Sequence, residues 1–178
     1  MIHRPFGNES MHAANLEIRD ENEEDAPVLS ALSAQAFGPG RFGRTAYRIR
    51  EGVAPVSSLA LTAWLDDRLV GGIRFTVITI GGEGGALLLG PLVVDPVHNG
   101  KGYGKALVAE GLARASAQGF RLVVLVGDMP YYGRLGFVPV PPGQIKLPGP
   151  VDSARLLALE LVAGALGNAA GVVQAKAA

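Results

Sequence analysis

The 178-residue chain contains no cysteine, and that absence removes disulfides, thiolate metal sites and a cysteine nucleophile together. An excess of one charge is missing too. Sixteen basic and sixteen acidic side chains cancel, so no long-range field steers the chain toward nucleic acid or an anionic membrane. No uninterrupted apolar run approaches the roughly 18 residues of a membrane span. The opening MIHRPFGNESMHAAN lacks the apolar core of a secretory signal. The expectation is a cytoplasmic protein with neither nucleic acid nor membrane as partner. His, Asp and Glu never recur at metal-ligand spacing, so no metal site is expected.

What is present suits one domain with a sizeable core. Residues 1–14 show no periodicity and read as an arm, residues 15–163 as the domain, and residues 164–178, small and apolar, as a tail that frays or packs on the domain edge. Leu16, Glu17, Ile18 and Arg19 alternate like a short half-buried strand. The acidic stretch 20–25 opens a helix to about residue 37, with Leu29 and Leu32 on one face. Residues 38–43 form a loop. An arginine-rich segment around Tyr47 and Ile49 is a second helix, and Arg41, Arg44, Arg48 and Arg50 read as its solvated face. Residues 58–65 and 69–80 form a hairpin about Asp66-Asp67. After a glycine turn at 81–85, residues 87–94 continue the meander, with a bulge or break at Gly90-Pro91.

Residues 103–118 carry Leu107, Val108, Leu112 and Ala115 on one face and are the clearest helix. Residues 121–126 follow as a buried strand, so 87–126 is a β-α-β unit with parallel strands. Asp128 caps a short helix closed by Gly136. Residues 137–140 and 155–161 are further strands, separated by a proline-rich loop at 141–150.

Between the parallel strands lies Asn99-Gly100-Lys101-Gly102-Tyr103-Gly104-Lys105. A strand-to-helix turn of this kind leaves backbone N–H groups converging, which suits a phosphate. Glycines permit positive φ and keep Cβ atoms away from a ligand, and Lys101 and Lys105 add charge. A Walker A loop is excluded, because its first glycine falls on Asn99 and its hydroxyl position on Ala106. The dinucleotide fingerprint is excluded by the even spacing of Gly100, Gly102 and Gly104.

The order of Val94-x-Pro96, Asn99, Gly102-x-Gly104, helix, strand and Tyr132-x-x-x-Gly136-Phe137 resembles the GNAT superfamily of acetyl-CoA-dependent N-acetyltransferases. The likeness spans about residues 16–161. It implies a mixed central β-sheet flanked by helices, with a β-α-β cofactor unit and splayed parallel strands. One departure is Asn99, where the family has Gln or Arg. The resemblance further implies that Leu92, Val93 and Val94 pair through their backbones with the pantetheine of acetyl-CoA. Gly100, Lys101, Gly102, Tyr103, Gly104 and Lys105 would hold its pyrophosphate. No metal is implied.

The expected reaction is transfer of acetyl from acetyl-CoA to a primary amine, by direct attack in a ternary complex. A backbone N–H near Val93 would stabilise the developing oxyanion. Tyr132, a phenol protonated at neutral pH, would protonate the leaving sulfur, with Tyr131 as its adjacent competitor. Asp128, Asp95, Glu83 and a water chain remain open as the base. The acceptor is a small-molecule amine, a peptide N-terminus or a lysine, chosen by residues 37–55 and 139–151. A homodimer is left open. A non-catalytic acyl-CoA-binding or sensor domain is the alternative.

Overall fold

The computed structural model describes residues 15–177; the expected arm at 1–14 lies outside the described residues. In chain order the elements are β1 (Leu16–Asp20), α1 (Ala26–Phe37), α2 (Thr45–Arg50), β2 (Leu61–Leu65), β3 (Arg68–Ile80), β4 (Glu83–Val94) and α3 (Tyr103–Ala117). Then come β5 (Leu122–Val126), α4 (Met129–Tyr132), β6 (Val138–Pro139), β7 (Ile145–Lys146), β8 (Leu156–Glu160) and β9 (Gly171–Ala175). The main sheet runs β1-β2-β3-β4-β5-β8-β6. It is antiparallel except between β4 and β5.

Two tight turns set the register of the meander. Leu65 faces Arg68 across Asp66-Asp67, and Asp66 takes a positive φ of 52°, a conformation that Asp tolerates better than most residues. Ile80 faces Glu83 across Gly81-Gly82, both left-handed with φ of 59° and 87°, as a two-residue hairpin turn requires. β4 therefore starts at Glu83, four residues before the expected 87.

Helices cover both faces. α3 places Leu107, Val108 and Ala115 against Ile73, Phe75, Leu87, Leu89, Val123 and Leu125. Burying one such large side chain contributes about 1.5–3 kcal/mol. Gly111 makes the approach possible, since a Cβ there would stand 2.4 Å from Phe75 Cε2. On the other face α1 packs Leu29 and Leu32 on Leu69 and Val93. Gly72 plays the same part there, a Cβ at that position falling 2.6 Å from Leu29 Cδ2.

The β4–β5 ladder joins Ala86 to Leu122, Leu87 to Val123 and Leu88 to Val124, and then stops. β4 runs on to Val94, paired among the described residues with β3 alone. The cause is local. Between Ile73–Leu92 and Phe75–Leu89 the register slips by one residue, at Gly90-Pro91, where Gly90 has a φ of 138°. Pro91 has no N–H to offer a neighbour.

Within the stretch 164–178, read as a tail that frays or packs on the domain edge, Gly171–Ala175 form β9, which pairs antiparallel with Ile78–Ile80 of β3. Within the expected loop at 141–150, Ile145 and Lys146 form β7, parallel to β9. β2 pairs only as far as Ile73, so the distal end of the thirteen-residue β3 would be an open edge. β9 covers it and buries Val173 completely.

Candidate active site

The turn after β4 is built from the backbone outward. The Asp95 carboxylate accepts from Val97 N at 3.1 Å and from Arg68 at 3.3 Å, so this base candidate is committed to holding the turn. Glu83, another candidate, stands at the opposite end of β4. Gly100 and Gly102 have φ of 77° and 84°, and a Cβ at either would meet nothing within 4 Å. Their need for glycine is conformational, and the space beside them is open. Gly102 caps α3, whose first bond runs from Ala106 N to Gly102 O at 3.0 Å. The amides of Tyr103, Gly104 and Lys105 are thus first-turn donors with no carbonyl behind them.

Gly104 serves differently from the expectation that the three glycines permit positive φ and keep Cβ atoms away from a ligand. It is helical, and a Cβ there would stand 2.5 Å from Tyr131 Oη, so its small size admits the phenol. Lys101 and Lys105 are exposed. Lys101 Nζ lies 3.4 Å from His98 Nδ1, and the His98 ring tilts on Tyr103 with centroids 5.8 Å apart. Asn99 is exposed, and its backbone N–H donates to Pro96 O at 3.1 Å.

Where β4 and β5 part, Leu92, Val93 and Val94 pair with Ile73, Gly72 and Gly71 on one edge and, among the described residues, with no strand on the other. Beside this gap a cavity of ≈ 470 Å³ lies between residues 89–92 and 125–128, with Tyr132 in its wall. The Tyr132 ring meets Phe137 edge-on at 5.7 Å and Tyr131 at 4.9 Å. Gly127 leaves room for it, because a Cβ there would approach Tyr132 Cε2 to 2.4 Å. Burial, reinforced by Tyr131 and the Asp128 carboxylate, pushes the Tyr132 phenol well above its ordinary pKa. Its hydroxyl makes no hydrogen bond among the described residues.

Asp128 occupies the N-cap position of α4, but its side chain makes no capping bond. Its backbone carbonyl does that work, accepting from Tyr131 N at 3.2 Å and Tyr132 N at 3.0 Å. The carboxylate instead pairs with Arg155 at 3.3 Å and is 75% exposed.

The arginine segment departs most from expectation. Arg48 is exposed, as a solvated face requires, but Arg50 turns inward. Its guanidinium lies on Gly90, where a Cβ would meet Nη1 at 2.5 Å, and stacks over Tyr47 at 5.8 Å. Burial, helped by the like charge of Arg74, lowers its pKa to about 10, still a cation at neutral pH. Arg50 lines the cavity beside Tyr132 and also a second one of ≈ 560 Å³ under α1. The two segments expected to choose the acceptor meet here, since Thr45 Oγ1 donates to Pro150 O at 2.6 Å. Four arginines in ten residues look alike in sequence, and nothing local marks which one the bulge at Gly90 will receive.

Among the described residues, no group of three or more His, Asp or Glu is placed to hold a metal ion. No helix among them is long and apolar enough to cross a membrane.

Comparisons with known proteins agree with this geometry. The Acetyltransferase (GNAT) family profile matches residues 18–137. The uncharacterized N-acetyltransferase YjhQ of Escherichia coli is 30% identical over 133 residues, covering 73% of this chain and 72% of its own. The GNAT family N-acetyltransferase YhbS of Escherichia coli, solved in complex with CoA, superposes with a TM-score of 0.79 at 27% identity, covering 92% of this chain and 91% of its own. A GNAT family acetyltransferase from Brucella melitensis, in complex with acetyl-CoA, gives 0.63 at 30% identity over 83% and 88%. A mixed open sheet whose two parallel strands part beside a glycine turn, together with these matches, leads to one conclusion: the chain belongs to the GNAT family of acetyltransferases.

Proposed function

We propose that the protein is an N-acetyltransferase that uses acetyl-CoA and a primary amine in a ternary complex. The observation that carries this reading is the gap beyond Leu88 and Val124. There the free edge of β4 faces a cavity walled by the half-buried phenol of Tyr132, whose pKa burial raises. Crystal structures of two related proteins, with CoA and with acetyl-CoA, support the choice of co-substrate.

On this reading Leu92 and Val94, whose backbone groups point away from β3, offer the unpaired edge of β4 to the amides of pantetheine as an added strand would, while Val93 between them stays paired with Gly72. Gly100, Lys101, Gly102, Tyr103, Gly104 and Lys105 hold the pyrophosphate through first-turn amides and two cationic side chains. Bound acetyl-CoA supplies the acetyl group as an activated thioester. A backbone N–H near Val93 draws charge onto the carbonyl oxygen as the amine attacks. The amine nitrogen bonds to the acetyl carbon, the carbon–sulfur bond breaks, the Tyr132 proton goes to sulfur and the amine proton passes to water. Tyr132 recovers its proton from solvent. A cytoplasmic location accords with the composition.

Calorimetry with acetyl-CoA and CoA, followed by a free-thiol assay over an amine panel, tests the reading. Absence of binding would refute it. Binding without turnover on any amine would leave a sensor domain instead.

A further inference from the structure

We infer that the acceptor is a small amine carrying a carboxylate, and that Arg50 is the residue that receives that carboxylate. The inference rests on the acetyltransferase reading above and concerns the acceptor side of the same site.

The argument starts from the charges around the two cavities and what each already holds. In the first cavity Arg155 pairs with Asp128 at 3.3 Å, and Asp152 accepts from Ala154 N at 2.9 Å. Arg41 donates to Gly38 O at 2.8 Å, and Arg44 lies over the Phe37 ring at 5.5 Å. In the second cavity Arg74 is bound by Glu21 through two hydrogen bonds, and Glu51 is exposed. Arg50 alone stands between the two cavities without a carboxylate or a hydrogen bond among the described residues. Its one neighbour of note is the face of Tyr47.

A guanidinium taken largely out of water loses hydration that a stacked ring only partly replaces. The fold nonetheless builds this placement, with a glycine at 90 whose missing Cβ is the space that Nη1 occupies. The planar fork of arginine fits a carboxylate with two parallel N–H donors. Arg50 and Tyr132 line the same cavity of ≈ 470 Å³, a volume suited to a small molecule. An acceptor whose amine and carboxylate are a few bonds apart therefore reaches both ends. A cation near the incoming amine also favours the uncharged, nucleophilic form.

The test compares amino acids with their carboxamides, which share the amine and the side chain and differ only in the anionic group. Rates are measured by thiol release near neutral pH, where Arg50 is a cation, and each KM is referred to the concentration of the uncharged amine. Calorimetry of each N-acetylated acid and its N-acetylated amide with the CoA-loaded protein gives a second measurement. The acid should be preferred by roughly ten- to a hundredfold, in KM and in product affinity, as a charge-assisted hydrogen bond implies. In Arg50→Gln the ratio should fall toward one while acetyl-CoA affinity persists, and Arg50→Lys should recover part of it. If Arg50→Gln fails to fold, Arg50→Lys and wild-type product binding decide. The inference is overturned if acid and amide are equal, if the ratio survives Arg50→Gln, or if no carboxylate-bearing amine is accepted. Failure to bind acetyl-CoA is a different result, which removes the acetyltransferase reading itself.

Discussion

Tyr132→Phe removes one oxygen atom and nothing else from the wall of the cavity. General acid catalysis contributes about 10²–10⁴ in rate, equivalent to about 3–5 kcal/mol of barrier, and kcat should fall by that factor. Stability should hardly change. The hydroxyl has no hydrogen-bond partner among the described residues, so its loss orphans nothing. The ring contacts with Phe137 and Tyr131 remain available to phenylalanine. Acetyl-CoA affinity should stay within about threefold of wild type, because the grip is assigned to backbone groups of the turn and of β4. The assay is thiol release under saturating acetyl-CoA, with calorimetry and a thermal melt on the same preparation. Tyr131→Phe is the internal control: its hydroxyl rests against Gly104 at the head of α3, outside the lining of the cavity, and its kcat should be close to wild type. Retention of kcat in Tyr132→Phe, or transfer of the loss to Tyr131→Phe, refutes the assignment. A fall in kcat matched by an equal loss of acetyl-CoA affinity refutes the acid role and leaves a positioning one.

Other predictions test neighbouring parts of the site and fold. Burial raises the Tyr132 pKa above its ordinary 10, so the acid form persists as pH rises; kcat should climb with amine deprotonation and show no falling limb below about pH 10, and an earlier decline would point to another acid. Gly102→Ala forces a Cβ onto a φ of 84°, costing about 1–2 kcal/mol; calorimetry should show acetyl-CoA binding weakened about tenfold if the turn distorts to relieve it, and unchanged affinity would remove the turn from the cofactor site. Gly111→Ala places its Cβ 2.4 Å from Phe75 Cε2; overpacking of about 1–3 kcal/mol outweighs a helix-propensity gain of about 1 kcal/mol, and a raised melting temperature would contradict the tight seat of α3. Truncation after residue 170 removes β9 and uncovers the edge at Ile78–Ile80; the melting temperature should drop and light scattering should rise on warming, whereas a melt like that of the full chain would make the strand dispensable.

Most of the scaffold could be read from the chain because the interactions that define it are short in sequence. Alternation marks β1, a three-to-four-residue apolar spacing marks α3, and glycine or aspartate pairs mark the hairpin turns. The break in β4 was legible at Gly90-Pro91 for the same reason, since a missing N–H and a permissive φ act where they stand. The glycine turn and the Tyr132-to-Phe137 motif likewise carried the family resemblance in residues close together. β9 was not legible: its five residues show no period, and it forms because β3 outruns β2 and leaves an edge that another strand must cover. The capping role expected of Asp128 was local reasoning that a distant partner overrode, for Arg155 takes its carboxylate.

By itself, then, the sequence determined the order and kind of the principal elements, the break in the fourth strand and the conformation of the turn that follows it. Only the tertiary structure decided that Gly104 makes room for Tyr131, that Thr45 ties α2 to Pro150, and that Arg50 rather than Arg48 enters the cavity. Each of those depends on atoms from segments far apart in the chain meeting at van der Waals or hydrogen-bond distance. No periodicity or spacing in one segment encodes the shape of the surface that another will present to it.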